Sequence, residues 1–223
     1  IIDAWKEAYW FLADLLIQAE GNLRTEFENM PGGWAGFRKL RVARKVKESD
    51  EVTSFYLESA DPTKGLMTFQ PGQFISLKFD NLQKGRSVVR NYSVSSAPGQ
   101  NFYRISVKKE SGNAASDVPA GVVSSHLHDD VKVGSILHVG VPCGHFYLET
   151  EKPSTKPIVF LSGGVGFTPL TPAIPTSALS ESIESIAKKN DFVTAHTVYG
   201  RFDVNQLEKF VPSKDCEFYF CGP

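Results

Sequence analysis

The chain has 223 residues, 41% hydrophobic and 22% charged, the composition of a folded globular protein with room for one large domain or two small ones. Its 24 basic and 25 acidic residues leave a formal net charge of −1, so no global field favours nucleic acid or an anionic membrane. Cys143, Cys216 and Cys221 are odd in number and form no C-x-x-C pair, and the histidines hold no H-E-x-x-H, which argues against a disulfide framework or a metal site and fits a reducing, cytoplasmic compartment.

From Ile1 to about Glu28 there is no proline, and Trp5, Ala8, Leu12, Leu15, Leu16 and Ala19 recur at helical spacing, which predicts a helix. Its apolar runs fall far short of the ~18–20 residues of a membrane span, and it lacks the basic start and cleavage site of a signal peptide. Tyr9, Trp10 and Phe11 widen the apolar stripe, so the helix is expected to need partners on several sides. Pro31-Gly32-Gly33-Trp34 then reads as a flexible linker and a domain boundary.

Beyond the linker the period changes to that of strands. Phe37 to Val46, Val52 to Glu58, Gln73 to Phe79, Arg90 to Ser95, Tyr103 to Lys108 and Ile136 to Val141 predict six strands of a small antiparallel barrel. The fourth carries Arg90-Asn91-Tyr92-Ser93, in which Arg90 and Tyr92 share one face while Asn91 and Ser93 share the other. A guanidinium can fork onto a phosphate, a phenol ring can lie against a planar heterocycle, and a serine can donate to a ring nitrogen. The same residues would also suit an edge strand with an exposed arginine. Pro71-Gly72-Gln73-Phe74 reads as a type II turn entering a core strand. In Gly121-Val122-Val123-Ser124, a helix beginning near Val123 or Ser124 would aim unpaired N–H groups and a serine hydroxyl at a diphosphate, although Gly followed by Ser is also an ordinary cap.

After a Lys/Pro-rich connector from Glu151 to Pro157, Ile158 to Leu161 is a short apolar run suited to a buried parallel strand. It feeds Ser162-Gly163-Gly164-Val165-Gly166-Phe167-Thr168-Pro169, a glycine-rich turn expected to open a helix with Pro169 at an early position. Phe192 to Tyr199 and Glu217 to Cys221 predict two more strands, the last ending in Cys221-Gly222-Pro223. The fold class expected is α+β and multidomain: a helix over residues 1–30, a six-stranded antiparallel barrel over 31–150 and an incomplete α/β lobe over 151–223. Two complete βαβ halves would each need ~30 residues or more, which the last segment does not provide.

These motifs together resemble a known family. Arg-x-Tyr-Ser followed by Ser96-Ala97-Pro98 resembles the flavin-binding signature of the ferredoxin reductase family, and P-G-Q-aromatic, G-x-x-S-x-x-L, G-G-x-G-x-T-P and C-G-P follow in the family's positions. At the front, I-x-D-A-W-x-x-A-Y, L-A-D-L-x-I-x-x-E and G-G-W resemble the last globin helix and hinge of flavohaemoglobins. That resemblance implies NAD(P)H oxidation, hydride transfer to FAD and single-electron transfer to haem, which turns nitric oxide and oxygen into nitrate. It implies that Phe74, Arg90, Asn91, Tyr92 and Ser93 hold the flavin, that Val123 and Ser124 hold its pyrophosphate, and that Gly163, Gly164, Val165, Gly166, Thr168 and Pro169 seat the nicotinamide dinucleotide with Cys221, Gly222 and Pro223. Ser93 and Cys221 would lie nearest the chemistry. Phosphate ligands on two separate elements favour FAD over FMN.

The departures from the family pattern carry expectations too. One strand of the nicotinamide lobe is missing and the lobe is shortened, so hydride transfer is expected to be slow or absent although flavin binds. One helix is no globin body, so no haem pocket is expected, and the acceptor would be a separate haem or other one-electron carrier. A globin-free cytochrome b5 reductase-type enzyme is the alternative, disfavoured by the N-terminal helix, and a non-catalytic flavin-binding remnant is another. The apolar helix would fold back on the barrel or, given a swinging hinge, pair with a second copy.

Overall fold

The computed structural model describes residues 1–83, 85–149, 155–173, 187–188, 193–196, 204–213 and 215–222. Helix α1 spans Ile2–Asn29 and is followed by strands β1 (Phe37–Lys47), β2 (Val52–Ser59), β3 (Phe74–Gln83), β4 (Arg86–Ser93) and β5 (Tyr103–Lys108). Helix α2 (Val122–Asp129), strand β6 (Ile136–Gly140) and a later pair, β7 (Ile158–Ser162) and β8 (Glu217–Cys221), complete the regular elements. No helix is long and apolar enough to cross a membrane among the described residues.

The first six strands form one antiparallel sheet in the order β4-β3-β6-β1-β2-β5. Its two outer strands are β4 and β5, and an antiparallel bridge between Val94 and Ile105 joins the chain at their ends. The sheet therefore closes on itself at a seam. Alternation does the sorting: along β3 the residues Ile75, Leu77 and Phe79 are buried and their neighbours are not, as a period of two requires. They meet Leu40, Val42, Phe55, Leu57, Ile105 and Val139 in a single core. Strand β4 begins at Arg86 rather than Arg90, because β3 runs on to Gln83 through Asn81, whose left-handed backbone (φ 62) absorbs the irregularity between Phe79 and Gln83.

Helix α2 is pinned at its far end. The Lys45 ammonium, its pKa lowered by burial, donates to the carbonyls of Leu127 (3.2 Å), His128 (2.6 Å) and Val131 (2.8 Å), satisfying groups a helix C-terminus leaves open. The His128 ring bridges Thr53 Oγ1 (3.4 Å) and the Val107 carbonyl (2.9 Å) on neighbouring strands.

The linker after α1 is packed rather than flexible. The Gly33 N–H donates to the Met30 carbonyl (2.8 Å), and a Cβ on Gly33 would lie 1.8 Å from the Phe27 carbonyl oxygen. Gly32, at φ 75, leaves no room either, since a Cβ there would sit 2.6 Å from Leu66 backbone. Trp34 is buried and its indole N–H donates to the Val139 carbonyl (3.0 Å), with the Arg38 guanidinium 5.0 Å above its ring. The glycines thus serve close approach, not a hinge. Helix α1 is held at this joint yet buries none of its residues, and only Phe27, with Met30 just beyond, packs on the core. It does not fold back on the sheet: Trp5 is 74% exposed and Leu16 71%.

Strands β7 and β8 pair in parallel, from Ile158 opposite Glu217 to Ser162 opposite Cys221. Where the helix expected after β7 falls on described residues, the chain forms two 3-10 turns, Gly164–Phe167 and Thr171–Ala173, and the rest of that segment lies largely outside the described residues. Pro169 and Pro172 have no N–H to give the carbonyl four residues back, and the bonds that form instead reach three residues, Thr168 to Val165, Leu170 to Phe167 and Ala173 to Leu170. Half of the strand expected over Phe192 to Tyr199 falls outside the described residues, and residues 193–196, which are described, are not in a strand.

Candidate functional site

The seam explains where the cleft lies. Continuing the antiparallel register from the Val94–Ile105 bridge sets Ser93 opposite Ser106 and Tyr92 opposite Val107, yet no ladder joins those residues. They line instead a cleft of about 530 Å³. Into the same cleft face Val123 and Ser124 at the start of α2, Val165, Gly166, Thr168 and Pro169 of the glycine-rich turn, and Cys221 and Gly222 after β8. Arg90 and Asn91 complete the β4 wall. Motifs separated by more than a hundred residues in the chain thus border one space.

Four of the expected site residues lie elsewhere or escape description. Phe74 pairs with Ser93 in the ladder, but its ring packs over Gly144, where an added Cβ would sit 2.8 Å from the phenyl edge, and it does not border the cleft. Gly163 and Gly164 do not line the cleft, and Pro223 is outside the described residues. Conversely Ser106, Val107, Lys108, Glu110, Gly121 and Val122 line the cleft without having been expected. Alternation on β5 could have marked Ser106 and Lys108 as one face, but only the closure of the sheet brings that strand against β4, with Ser106 opposite Ser93.

The charges are arranged for an anion at two points. Arg90 is exposed, donates to the Val89 carbonyl (2.8 Å), and makes no ion pair among the described residues. Lys108 is shared between Glu51 (3.8 Å) and Glu110 (3.9 Å), which weakens its pull. The second point is the start of α2, where Val122 and Val123 carry N–H groups with no intrahelical partner. The Ser124 hydroxyl does not add to them as expected: it accepts from the Glu110 N–H (3.2 Å) and donates to the Gly121 carbonyl (3.2 Å). Its role is to seat the turn, and Gly121 is required there, since a Cβ would lie 2.5 Å from Ser124 Oγ.

Between these points lies Tyr92. Burial pushes its phenol up to about 12 and Arg90 beside it pulls the other way, so at neutral pH it is a protonated, flat, half-buried ring. On the far wall the two glycine-rich turns touch: the Gly163 N–H donates to the Cys221 carbonyl (3.0 Å), and a Cβ on Gly166 would lie 2.2 Å from that same oxygen. The ends of two adjacent parallel strands therefore meet in bare backbone, the arrangement that lets a ligand's phosphates come close in α/β sheets. A cation, a helix N-terminus and a tyrosine on one wall, with a glycine cradle facing them, fit flat anionic dinucleotides.

Comparison with known proteins bears on the same segments. The model of the oxidoreductase FAD-binding domain family matches residues 39–147. A flavohemoprotein of Oceanobacillus iheyensis is 38% identical over 256 residues, covering all of this chain and 61% of that protein. The chain spans 61% to 63% of the curated relatives it matches, aligning with their C-terminal reductase part, and the alignments run longer than its own 223 residues, so the relatives hold stretches it lacks. The crystal structure of the flavohem-like FAD/NAD-binding domain of nitric oxide dioxygenase from Vibrio cholerae is similar at 30% identity and a TM-score of 0.68, over 84% of this chain and 88% of that one. The fold of a flavohemoglobin from Malassezia yamatoensis, solved with FAD and haem bound, matches 100% of this chain and 61% of its own at a TM-score of 0.71 and 20% identity.

Proposed function

The chain belongs to the flavohaemoprotein family, as its FAD-dependent NAD(P)H oxidoreductase portion, and from that premise we propose that the seam cleft seats FAD and that the paired glycine turns seat NAD(P)H against it. The observation that carries this reading is that the Arg90–Ser93 segment, the start of α2, the Val165–Pro169 turn and Cys221-Gly222 border a single cleft. Bound FAD would accept a hydride and release electrons singly. Arg90 would hold one phosphate by a charge-assisted pair and the α2 N–H groups another. The Tyr92 ring would lie against the flavin plane, with Ser93 donating to its edge. Gly166 and Gly222 would let the dinucleotide approach the strand ends, and Cys221, half-buried at the close of β8, would stand beside the nicotinamide.

In the whole protein the electrons would pass to haem, and the oxidation of nitric oxide is the activity that the Vibrio relative's name carries. Helix α1 would stand between the reductase portion and its electron acceptor. The Malassezia fold matches this chain through that helix, which favours a haem-linked reductase over a globin-free one. The test is a titration of the purified chain with FAD, followed by NADH and NADPH. Saturable quenching of flavin fluorescence and pyridine-nucleotide-dependent bleaching are expected. A chain that is folded by circular dichroism and leaves FAD fluorescence unchanged refutes the reading.

A further inference from the structure

We propose that Arg104 is a positioning residue for the cleft: it fixes the point at which the seam between β4 and β5 stops being closed. Arg104 is only 2% exposed, rare for an arginine and costly unless its donors are satisfied. Several of its hydrogen bonds go to the two residues that follow Val94. Nε donates to Ser95 Oγ (3.1 Å), Nη2 donates to the Ser95 carbonyl, its backbone N–H donates to Ser96 Oγ (3.2 Å), and its carbonyl accepts from the Ser95 N–H (2.6 Å). A guanidinium can grip the side chain and the carbonyl of one residue at once, which an ammonium cannot do in the same geometry.

The location gives that grip its consequence. The only bridge between the ends of β4 and β5 among the described residues is Val94–Ile105, and the Arg104–Ser95 clasp lies immediately beyond it. On the other side of the bridge the strands part, with Ser93 and Ser106 as the first residues of the opening. The clasp also reaches the cleft wall: Ser95 Oγ is 3.0 Å from Ser106 Oγ, which is 2.8 Å from Ser54 Oγ on β2. All three serines are buried, so these hydroxyls have few partners besides one another and Arg104. Loosening the clasp would let the unpaired edges move, and with them the spacing between Tyr92 and β5 across which the ligand must fit.

This inference rests on the flavin reading of the cleft, and its test separates the two. Arg104→Lys and Ser95→Ala are compared with Leu137→Ala, a core truncation on β6 outside the cleft. Amide hydrogen exchange at Val94, Ile105 and Ser106 is measured without ligand, and FAD affinity by fluorescence quenching, with urea midpoints alongside. Arg104→Lys is expected to speed exchange at the seam and weaken FAD binding about tenfold, and Ser95→Ala about threefold, whereas Leu137→Ala lowers the urea midpoint and leaves both unchanged. If Arg104→Lys fails to fold, Ser95→Ala decides. Seam exchange and affinity that stay at wild-type values, or shift no more than in Leu137→Ala, overturn the proposal. If the wild-type chain binds no FAD the flavin reading fails, and seam exchange alone decides the role of Arg104.

Discussion

Replacing Arg90 by alanine removes the one cation lining the cleft that makes no ion pair among the described residues. In the free chain the guanidinium is exposed and donates to its neighbour's carbonyl, so its loss should change stability by no more than about 0.5 kcal/mol. Binding is different, because a charge-assisted hydrogen bond to phosphate contributes ~1.5–3 kcal/mol, and its loss lowers FAD affinity roughly ten- to a hundredfold. A second readout comes from Tyr92, whose phenol Arg90 now holds down against burial: without the cation its pKa should climb beyond about 12. The assay is fluorescence titration of FAD into wild type and Arg90→Ala at matched urea midpoints, with an ultraviolet titration of the tyrosines. An unchanged FAD affinity in a folded Arg90→Ala protein would mean that the flavin phosphate is held elsewhere.

Gly166→Ala puts a methyl 2.2 Å from the Cys221 carbonyl, so the two turns must part. That costs ~1–3 kcal/mol of overpacking and should abolish flavin reduction by NADH while weakening FAD binding far less, with unaltered reduction kinetics counting against the paired-turn cradle. At alkaline pH the folded chain holds phenolic protons that the unfolded chain releases, since Tyr92 and Tyr103 both lie above the ordinary value of 10.0. Stability should be complete below pH ~10 and decline as pH rises toward about 12, by at most ~1.4 kcal/mol per pH unit per group, less for the partly hydrated Tyr92. Urea denaturation at stepped pH would test this, and Tyr92→Phe should flatten the decline. Deleting residues 1–30 should leave the sheet folded and FAD affinity within about twofold, because nothing in α1 is buried. Light scattering of the intact and deleted chains should show a dimer becoming a monomer, and monomers in both would end the idea that α1 pairs two copies.

Strand β3 was legible because burial along it alternates, and β5, buried along almost its whole length, still spans the residues expected, Tyr103–Lys108. The motif residues of β4, α2, β7 and β8 were legible through their resemblance to the family's signatures, since each alone also suits an ordinary edge strand, cap or turn. Closure was not: that Ser106 and Val107 come opposite Ser93 and Tyr92 follows from the outer strands meeting at Val94–Ile105, a contact between segments with no local signature. Pro-Gly-Gly reads as a hinge in any sequence, and only the Phe27 carbonyl 1.8 Å from the Gly33 Cβ position reveals that the glycines are there to fit. Pro169 was read as an early helical residue, whereas with Pro172 it holds the segment to 3-10 turns. The Ser124 hydroxyl misled for a related reason, since a serine at a helix start can serve the turn rather than the ligand.

In the function proposed for this chain, one cleft brings flavin and nicotinamide together. Anaerobic stopped-flow mixing of the FAD-loaded chain with NADH, followed by the flavin's visible absorbance, tests it directly. Bleaching that saturates with NADH, slowed by the short lobe, is the predicted result; FAD that stays bound and fully oxidised with both NADH and NADPH in excess would contradict it.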